Sequence, residues 1–318
     1  MLNSIIKNIY LKILHKLKSL LQYFNRKSNS SIVIPPEIID DSFRKSNYGS
    51  AITNLKFIFR ADKTNVGDWW CPPWRYFQFK PGVVGDILNP EFKISETDIL
   101  ILGGGGIGSE FFRPHLNRIK EAKANVSILW GAGADSLSNR DGVLSDGEQD
   151  LYGNYFDFLD EKGIRVFSSP QKFNYVPCAS CMSNLFFKYR EKKPRNKVGV
   201  YNHKRVSILN ADNQQRIPIA DNSGDNIIEK LEFLSDFEYI ITNTYHGVYW
   251  ATLLGRKVIC IPFKSGLFSF KYPPTYCLDG SVRDEHFERA VAYEGVLEES
   301  RKINLDYYFM LANKYDLV

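Results

Sequence analysis

The feature that most constrains the fold is a regular alternation of short apolar runs with amphipathic segments. The apolar runs are rich in β-branched and aromatic residues and lie at 55–59, 98–102, 126–130, 165–168, 197–201, 239–242 and 257–262. Helix candidates lie among them at 113–124, 151–162, 225–234 and 246–254. Strands that alternate with helices indicate βαβ units, which build parallel sheets covered by helices on both faces. The pattern therefore predicts an α/β protein.

A charged segment divides this series into two halves. Residues 190–195 read Arg-Glu-Lys-Lys-Pro-Arg and interrupt the strand pattern. We predict an N-terminal Rossmann-like domain over 37–190 and a C-terminal one over 191–318 that ends in a helical segment, in keeping with about 150 residues per domain. Two doubly wound domains would face each other across a cleft, where ligands bind beyond the carboxyl ends of the strands.

The N-terminal segment 1–36 holds the positive charge of the chain. It contains six lysine and arginine residues and no acidic residue, whereas the whole chain has a net charge of +5. Its apolar residues recur at spacings of three and four, which predicts a basic amphipathic helix. Residues 1–28 are predicted to lie in an anionic membrane surface. The alternative is a helix that packs on the protein itself or on a second subunit.

Composition limits the compartment and the partners. No uncharged apolar run is long enough to predict a spanning helix. Five irregularly spaced cysteines argue for a reducing compartment, and the Cys178–Cys181 pair has no second pair that would predict a metal site. The predicted location is therefore cytoplasmic, peripheral on the inner face of the cell membrane. Because the chain after the tail is near neutral, no nucleic-acid partner is expected, and the oligomeric state is left open.

A run of glycines follows the second predicted strand. Five glycines stand within 103–108, directly after the strand at 98–102. Their G-x-G-x-x-G spacing is typical of dinucleotide sites, but the acidic residue that binds the ribose is missing after the next strand. No nicotinamide cofactor is therefore predicted. Consecutive glycine amides at a strand end can bind an anion. We therefore assign Gly104, Gly105 and Gly106 to the binding of an anionic donor substrate.

A histidine stands at a predicted strand-to-helix turn. The strand at 239–242 leads into a Thr-Tyr-His-Gly sequence at 244–247, and the helix N-terminus there attracts anions. The next strand delivers Lys264 and Ser265 at its own carboxyl end. An imidazole from His246, an ammonium group and several backbone amides are thus expected to converge on a phosphate or a carboxylate.

Taken in order, several short motifs resemble those of the polysaccharide pyruvyltransferase family. They are Asn65-Val-Gly-Asp68, the strand and glycine run at 98–106, Gly131-Ala-Gly133, and the segments 176–180, 244–247 and 261–264. The resemblance covers about residues 56–271. It implies the two-domain fold of the glycosyltransferase B class and a transferase that moves pyruvate from phosphoenolpyruvate onto a sugar as a ketal, without a further cofactor.

The resemblance implies that His246 is catalytic or binds the donor, and that Lys264 helps to bind the donor. His246 could act as acid or base, and Asp68, across the cleft, could serve as base for the acceptor hydroxyl. The remaining donor-binding assignments are Thr244, Tyr245, Gly247 and Ser265. Asn65 and Arg113 are assigned to the acceptor. That acceptor is a saccharide, lipid-linked or growing, of a bacterial-type surface polysaccharide such as a capsule or exopolysaccharide.

The chain departs from the family at one position. Members that make pyruvyl ketals often carry arginine where this chain has Thr244, and threonine cannot supply that charge to a carboxylate. Either Lys264, Arg113 or Arg60 supplies it, or the donor is not phosphoenolpyruvate. Two alternatives stay open: a glycosyltransferase of the same architecture that uses a nucleotide sugar, and a non-catalytic scaffold of a polysaccharide assembly complex.

Overall fold

The computed structural model describes residues 54–133, 155–167, 173–208, 217–262 and 269–318. The predicted amphipathic helix at 1–28 lies outside the described residues, as do Lys264 and Ser265. Residues Glu37–Val318 form one compact unit, to which both sheets described below belong. None of the helices in the described ranges combines the length and the apolar character that crossing a bilayer requires.

Six described strands form the first sheet. They are β1 (Leu55–Phe59), β2 (Val83–Asp86), β3 (Ile99–Gly103), β4 (Val126–Ala132), β5 (Glu161–Ile164) and β6 (Asn174–Tyr175). Their order is β2-β1-β3-β4-β5-β6, and all neighbouring pairs are parallel. Apolar side chains from the strands, among them Ile58, Leu100 and Leu129, are buried in one core with Phe156. Burial of such side chains stabilises each by about 1.5–3 kcal/mol.

Five described strands form the second sheet. They are β7 (Asn196–Asn202), β8 (Ile219–Asp221), β9 (Phe237–Thr242), β10 (Lys257–Cys260) and β11 (Thr275–Tyr276). Their order is β11-β10-β9-β7-β8, again with parallel neighbours. The protein is therefore an α/β protein with two parallel, Rossmann-like sheets, as predicted. The predicted domain boundary near residue 190 and the glycosyltransferase B arrangement stay predictions.

Both sheets contain a point where the chain reverses direction across the sheet. In the first, β2 lies on one side of β1 and β3 on the other. In the second, β8 and β9 flank β7 in the same way. At such a point the loops that follow two adjacent strands turn to opposite faces of the sheet. A crevice opens between these loops at the carboxyl ends of the strands, and ligands of parallel sheets bind there.

The described helices are α1 (Val66–Trp70), α2 (Arg113–Glu121), α3 (Leu185–Arg190), α4 (Ile227–Ser235), α5 (Tyr245–Leu253), α6 (Asp284–Arg289) and α7 (Val296–Tyr315). All nine residues of α5 are buried, which fits a helix without a polar face. The terminal helix α7 follows the second sheet in sequence but packs on the first. Trp130 Nε1 donates to Asn304 Oδ1 at 2.9 Å, and the Tyr307 hydroxyl donates to the Leu129 carbonyl at 2.9 Å.

The sequence pattern placed six of its seven strands correctly, within two residues at each end. The strand predicted at 165–168 is wrong, because β5 runs over Glu161–Ile164 and Arg165 follows it. The helix predicted at 151–162 is wrong where it overlaps β5. The polar start of β5 is stable as a strand because Glu161 accepts hydrogen bonds from Lys314 and Tyr315 of α7, at 2.6 Å each.

Candidate functional site

The loop after β1 forms one wall of the site. Asn65 caps α1, since its Oδ1 accepts from the Gly67 amide at 3.1 Å. Its Nδ2 donates to Asp68 Oδ2 at 2.8 Å, which fixes the carboxylate at the first turn of the helix. Asn65 thus orients Asp68, and both polar atoms of its side chain are hydrogen-bonded within the protein.

Gly67 brings this wall into direct contact with His246. A Cβ atom placed on Gly67 would overlap the imidazole ring, with Nδ1 as its nearest atom. Only glycine therefore allows the loop after β1 to approach the start of α5 this closely. The motif at 65–68 and the motif at 244–247, which are far apart in sequence, meet at this contact.

The glycine run allows a tight turn and close packing beside Asp68. Gly104 and Gly105 have positive φ angles of 76° and 74°, a region that favours glycine. A Cβ on Gly105 would lie 3.1 Å from Asp68 Oδ1. The Gly104 amide donates to the Trp130 carbonyl at 2.9 Å, so it is engaged within the protein. Gly106 is partly exposed.

Thr244 begins α5 as its N-cap. Its Oγ1 accepts from the Gly247 amide at 2.8 Å, and its own amide donates to Thr242 Oγ1 at 3.1 Å. Gly247 has no room for a Cβ, which would overlap Thr242 Oγ1. These contacts make Thr244 and Gly247 the support of the helix start, which carries Tyr245 and His246 as its first residues.

Arg165, which the sequence pattern placed inside a strand, supplies the cation of this site. Its side chain is only 3% exposed, and its Cζ lies 3.6 Å from the centroid of the Tyr245 ring. Gly133 leaves room for it, because a Cβ there would lie 2.6 Å from Arg165 Nε. Two guanidinium nitrogens, Nε and Nη1, have no hydrogen-bond partner among the described residues. The sequence pattern gave no signal for this role, because it made Arg165 the first residue of a strand and not the residue that follows one.

Burial and Arg165 set the protonation of the neighbouring groups. Burial raises the pKa of the Asp68 carboxyl to about 6, against the attraction of Arg165, which lowers it. Burial lowers the pKa of His246 well below its usual value, and the positive charge of Arg165 lowers it further. The site thus combines a permanent cation, a neutral imidazole and a carboxyl group that titrates near neutral pH.

Cys178 contacts the imidazole on its other edge. Its Sγ lies 3.4 Å from His246 Nε2 and 3.2 Å from Ser180 Oγ. Trp250 Nε1 donates to the same Ser180 Oγ at 3.0 Å. The sequence pattern gave Cys178 no role in the site.

Two of the other predicted cations, Arg113 and Arg60, form ion pairs elsewhere. Arg113 forms an ion pair with Glu110, with Nη2 2.6 Å from Oε1, at the start of α2. Arg60 forms an ion pair with Asp86 at 2.5 Å. Lys264 lies outside the described residues. Across the described ranges, no three histidine, cysteine or acidic side chains are grouped so that they could hold a metal ion.

Comparisons with known proteins give little beyond this geometry. No family model matches the chain, and no curated protein matches it. A solved structure of a functionally uncharacterised protein from Klebsiella pneumoniae is similar at 17% identity, over 70% of this chain and 87% of that one, with a TM-score of 0.40. A likeness of that degree carries no argument about function. The class of protein is therefore defined only by the α/β fold with its two parallel sheets and by the candidate site at their strand ends.

Proposed function

We propose that the protein is a transferase that moves pyruvate from phosphoenolpyruvate onto a sugar of a surface polysaccharide as a ketal. The observation that carries the proposal is the buried Arg165 guanidinium, in which Nε and Nη1 have no hydrogen-bond partner among the described residues and whose charge acts on both Asp68 and His246. The motifs at 65–68 and 244–247, on which the resemblance to polysaccharide pyruvyltransferases rests, meet at the same place.

A buried guanidinium with two unsatisfied nitrogens favours an anionic ligand. A buried N–H without an acceptor is destabilising by about 1–3 kcal/mol, and an anion that binds there removes that penalty. The planar guanidinium fork suits a carboxylate or a phosphate, and phosphoenolpyruvate carries both. Arg165 would thereby supply the charge that Thr244 lacks. The Tyr245 ring, whose centroid lies 3.6 Å from Cζ, helps to hold the guanidinium in place.

Ketal formation requires proton transfers that suit the groups present. A proton is added to the methylene carbon of phosphoenolpyruvate, and a sugar hydroxyl bonds to the adjacent carbon as it loses its proton. The carbon–oxygen bond to phosphate then breaks, and a second hydroxyl bonds to the same carbon while its proton leaves with phosphate or solvent. Asp68, with a pKa of about 6, exchanges protons readily near neutral pH. His246 stays neutral and serves as a hydrogen-bonding group beside the donor.

The acceptor in this proposal is a lipid-linked or growing saccharide at the inner face of the membrane. Residues 1–28, with their lysines and apolar face, would hold the enzyme at anionic headgroups. The two sheets would correspond to the two domains of a glycosyltransferase B arrangement, with the substrates between their strand ends.

One observation favours a second candidate, a glycosyltransferase that uses a nucleotide sugar. The helix α5 begins directly after β9, at the point where the strand order of the second sheet reverses. A helix N-terminus at such a point suits a diphosphate. In that case Arg165 would bind the diphosphate instead of a carboxylate.

Isothermal titration of the full chain with phosphoenolpyruvate and with a panel of nucleotide sugars tests the proposal. We expect phosphoenolpyruvate to bind, and Arg165→Gln to weaken it at least thirtyfold, because loss of one partner of a buried ion pair costs about 2 kcal/mol or more. Arg289→Gln, which removes an exposed positive charge from α6, is the matched control and should bind normally. Binding of a nucleotide sugar alone would instead favour the second candidate. Unchanged phosphoenolpyruvate binding by Arg165→Gln would contradict the role of Arg165.

A further inference from the structure

We propose that Cys178 is a positioning residue that fixes the ring tautomer of His246, at the end of a hydrogen-bonded chain that begins at Trp250 and passes through Ser180. The inference rests on the proposed function only for the use made of His246. The tautomer itself can be measured without any substrate.

The four side chains form a continuous and buried series. Trp250 Nε1 lies 3.0 Å from Ser180 Oγ, which lies 3.2 Å from Cys178 Sγ, which lies 3.4 Å from His246 Nε2. The first three residues are fully buried and His246 is 7% exposed. Polar groups at such depth use the partners that they have, because water does not reach them.

The first member of the series fixes the direction of the first bond. An indole N–H can only donate, so Ser180 Oγ accepts from Trp250. The single hydroxyl proton of Ser180 is then available to the sulfur of Cys178, and in the proposed arrangement the thiol proton points to His246. Burial raises the pKa of the Cys178 thiol and lowers that of His246, so both groups are neutral and the series carries no ion pair.

In this arrangement the ring proton of His246 lies on Nδ1. Nε2 accepts from the thiol, and Nδ1 is the ring atom that faces Gly67 in the loop that carries Asp68. The imidazole therefore presents an N–H donor to the first wall of the site. In the proposed reaction this orientation directs the ring proton to the loop that carries Asp68, and it leaves proton exchange to Asp68.

One helix holds both ends of the series in register. His246 and Trp250 lie four residues apart on α5, and hence on the same face of it. Tyr249, also on α5, donates from its hydroxyl to the Cys178 carbonyl at 3.0 Å. The backbone of Cys178 is thus tied to the helix whose imidazole it contacts, which is the arrangement that a positioning residue requires.

Nitrogen-15 NMR of the full chain, labelled at its histidines, tests the inference. Long-range proton–nitrogen correlations distinguish a protonated from an unprotonated ring nitrogen, and His246→Gln identifies which of the five histidine signals belongs to His246. We expect the Nδ1–H form in the wild type between pH 6 and 8. Cys178→Ser, which keeps an O–H donor, should retain it, and Cys178→Ala should shift the population to Nε2–H or to a mixture.

Two further variants keep the test decisive. Cys260→Ala removes another fully buried cysteine, in β10, and should leave the His246 signals unchanged. Ser180→Ala interrupts the series one step from Cys178 and should also mix the tautomers, so it tests the inference even if Cys178→Ala fails to fold. An Nε2–H form in the wild type, or an unchanged Nδ1–H form in the folded Cys178→Ala or Ser180→Ala variant, would overturn the proposal.

The activity readout separates this inference from the proposed function. If pyruvyl transfer is found, Cys178→Ala should lower kcat severalfold and alter its pH profile, whereas Cys178→Ser should restore both. If no transfer or phosphoenolpyruvate binding is found, the NMR result still stands by itself. A kcat and a pH profile that do not change in a variant whose tautomer has changed would show that the series has no part in catalysis.

Discussion

Replacing Asp68 with asparagine should stabilise the protein at neutral pH, and the gain should shrink in mild acid. The reason is that the folded state holds this carboxylate at a partly buried place, where ionisation is unfavourable. Asparagine keeps the shape and an oxygen that can accept from Asn65 Nδ2. The variant therefore removes the charge while the cap of α1 stays in place.

The expected magnitude follows from the pKa. A rise from 3.8 in the unfolded chain to about 6 in the folded protein corresponds to about 3 kcal/mol. Because the folded-state pKa is the higher one, the stability of the wild type is greatest below the unfolded value and is lost as the pH rises through about 6. The advantage of the variant should thus grow by roughly 2 kcal/mol between pH 4 and pH 7, mostly below pH 6.

Urea unfolding of both proteins at a series of pH values measures this difference. The matched control is Asp279→Asn, since hydrogen bonds from the Ser281 amide and from Arg283 lower the pKa of that carboxyl to about 2. Its effect should change only below about pH 4 and with the opposite sign, because a lowered pKa stabilises the folded state above it. If the Asp68→Asn difference is flat between pH 4 and 7, or falls, the carboxyl is not destabilised by burial and its role in proton exchange loses its basis.

Three further outcomes are expected. Gly67→Ala should destabilise the protein by about 1–3 kcal/mol in urea unfolding and impair transfer, because the added Cβ overlaps His246; wild-type stability would contradict the contact. Asn304→Leu should lower the free energy of unfolding by about 2–3 kcal/mol, because it leaves the buried Trp130 indole N–H without its acceptor. Replacement of the exposed Asn313 with leucine should leave the free energy of unfolding nearly unchanged in the same assay. Deletion of residues 1–30 should release the protein from anionic vesicles, since each basic residue near such a surface contributes about 1 kcal/mol; equal sedimentation of both forms would contradict the membrane role.

The parallel sheets were predictable because strands buried on both faces can be recognised in the sequence by their apolar composition. Strands such as β3 and β9 are nearly continuous apolar runs, as expected for strands covered on both faces. The short strands β2, β6, β8 and β11 carry no such signal, although each pairs with the strand that precedes it along the chain. These residues are strands only because they pair with a neighbouring strand, and their own sequence does not predict that pairing.

The candidate site was predictable in part for the same reason. His246 and Asp68 stand at strand ends, and strand ends in parallel sheets converge. Arg165 was missed because β5 reads Glu-Lys-Gly-Ile, and the apolar run that follows it looked like the strand. Gly163 in β5 has no room for a side chain, since a Cβ there would lie 2.9 Å from the Leu129 carbonyl and from the Tyr307 ring. The helix α7 therefore determines the strand, from more than a hundred residues away.

The wall of the site that carries Asp68 is held in place by the second sheet. Asn65 forms an antiparallel bridge with Ser223, and the Val66 amide donates to the Asn222 carbonyl at 3.0 Å. Trp70, at the end of α1, donates from Nε1 to the Asp225 carbonyl at 2.6 Å. The three residues contacted, Asn222, Ser223 and Asp225, all follow β8, whereas the loop itself follows β1.

Since Asp68 lies between these anchor points, its distance from Arg165 and His246 depends on contacts made by both sheets. A substitution that loosens this loop from the residues after β8 should therefore change the pKa of Asp68 as well as stability, because burial is what raises that pKa.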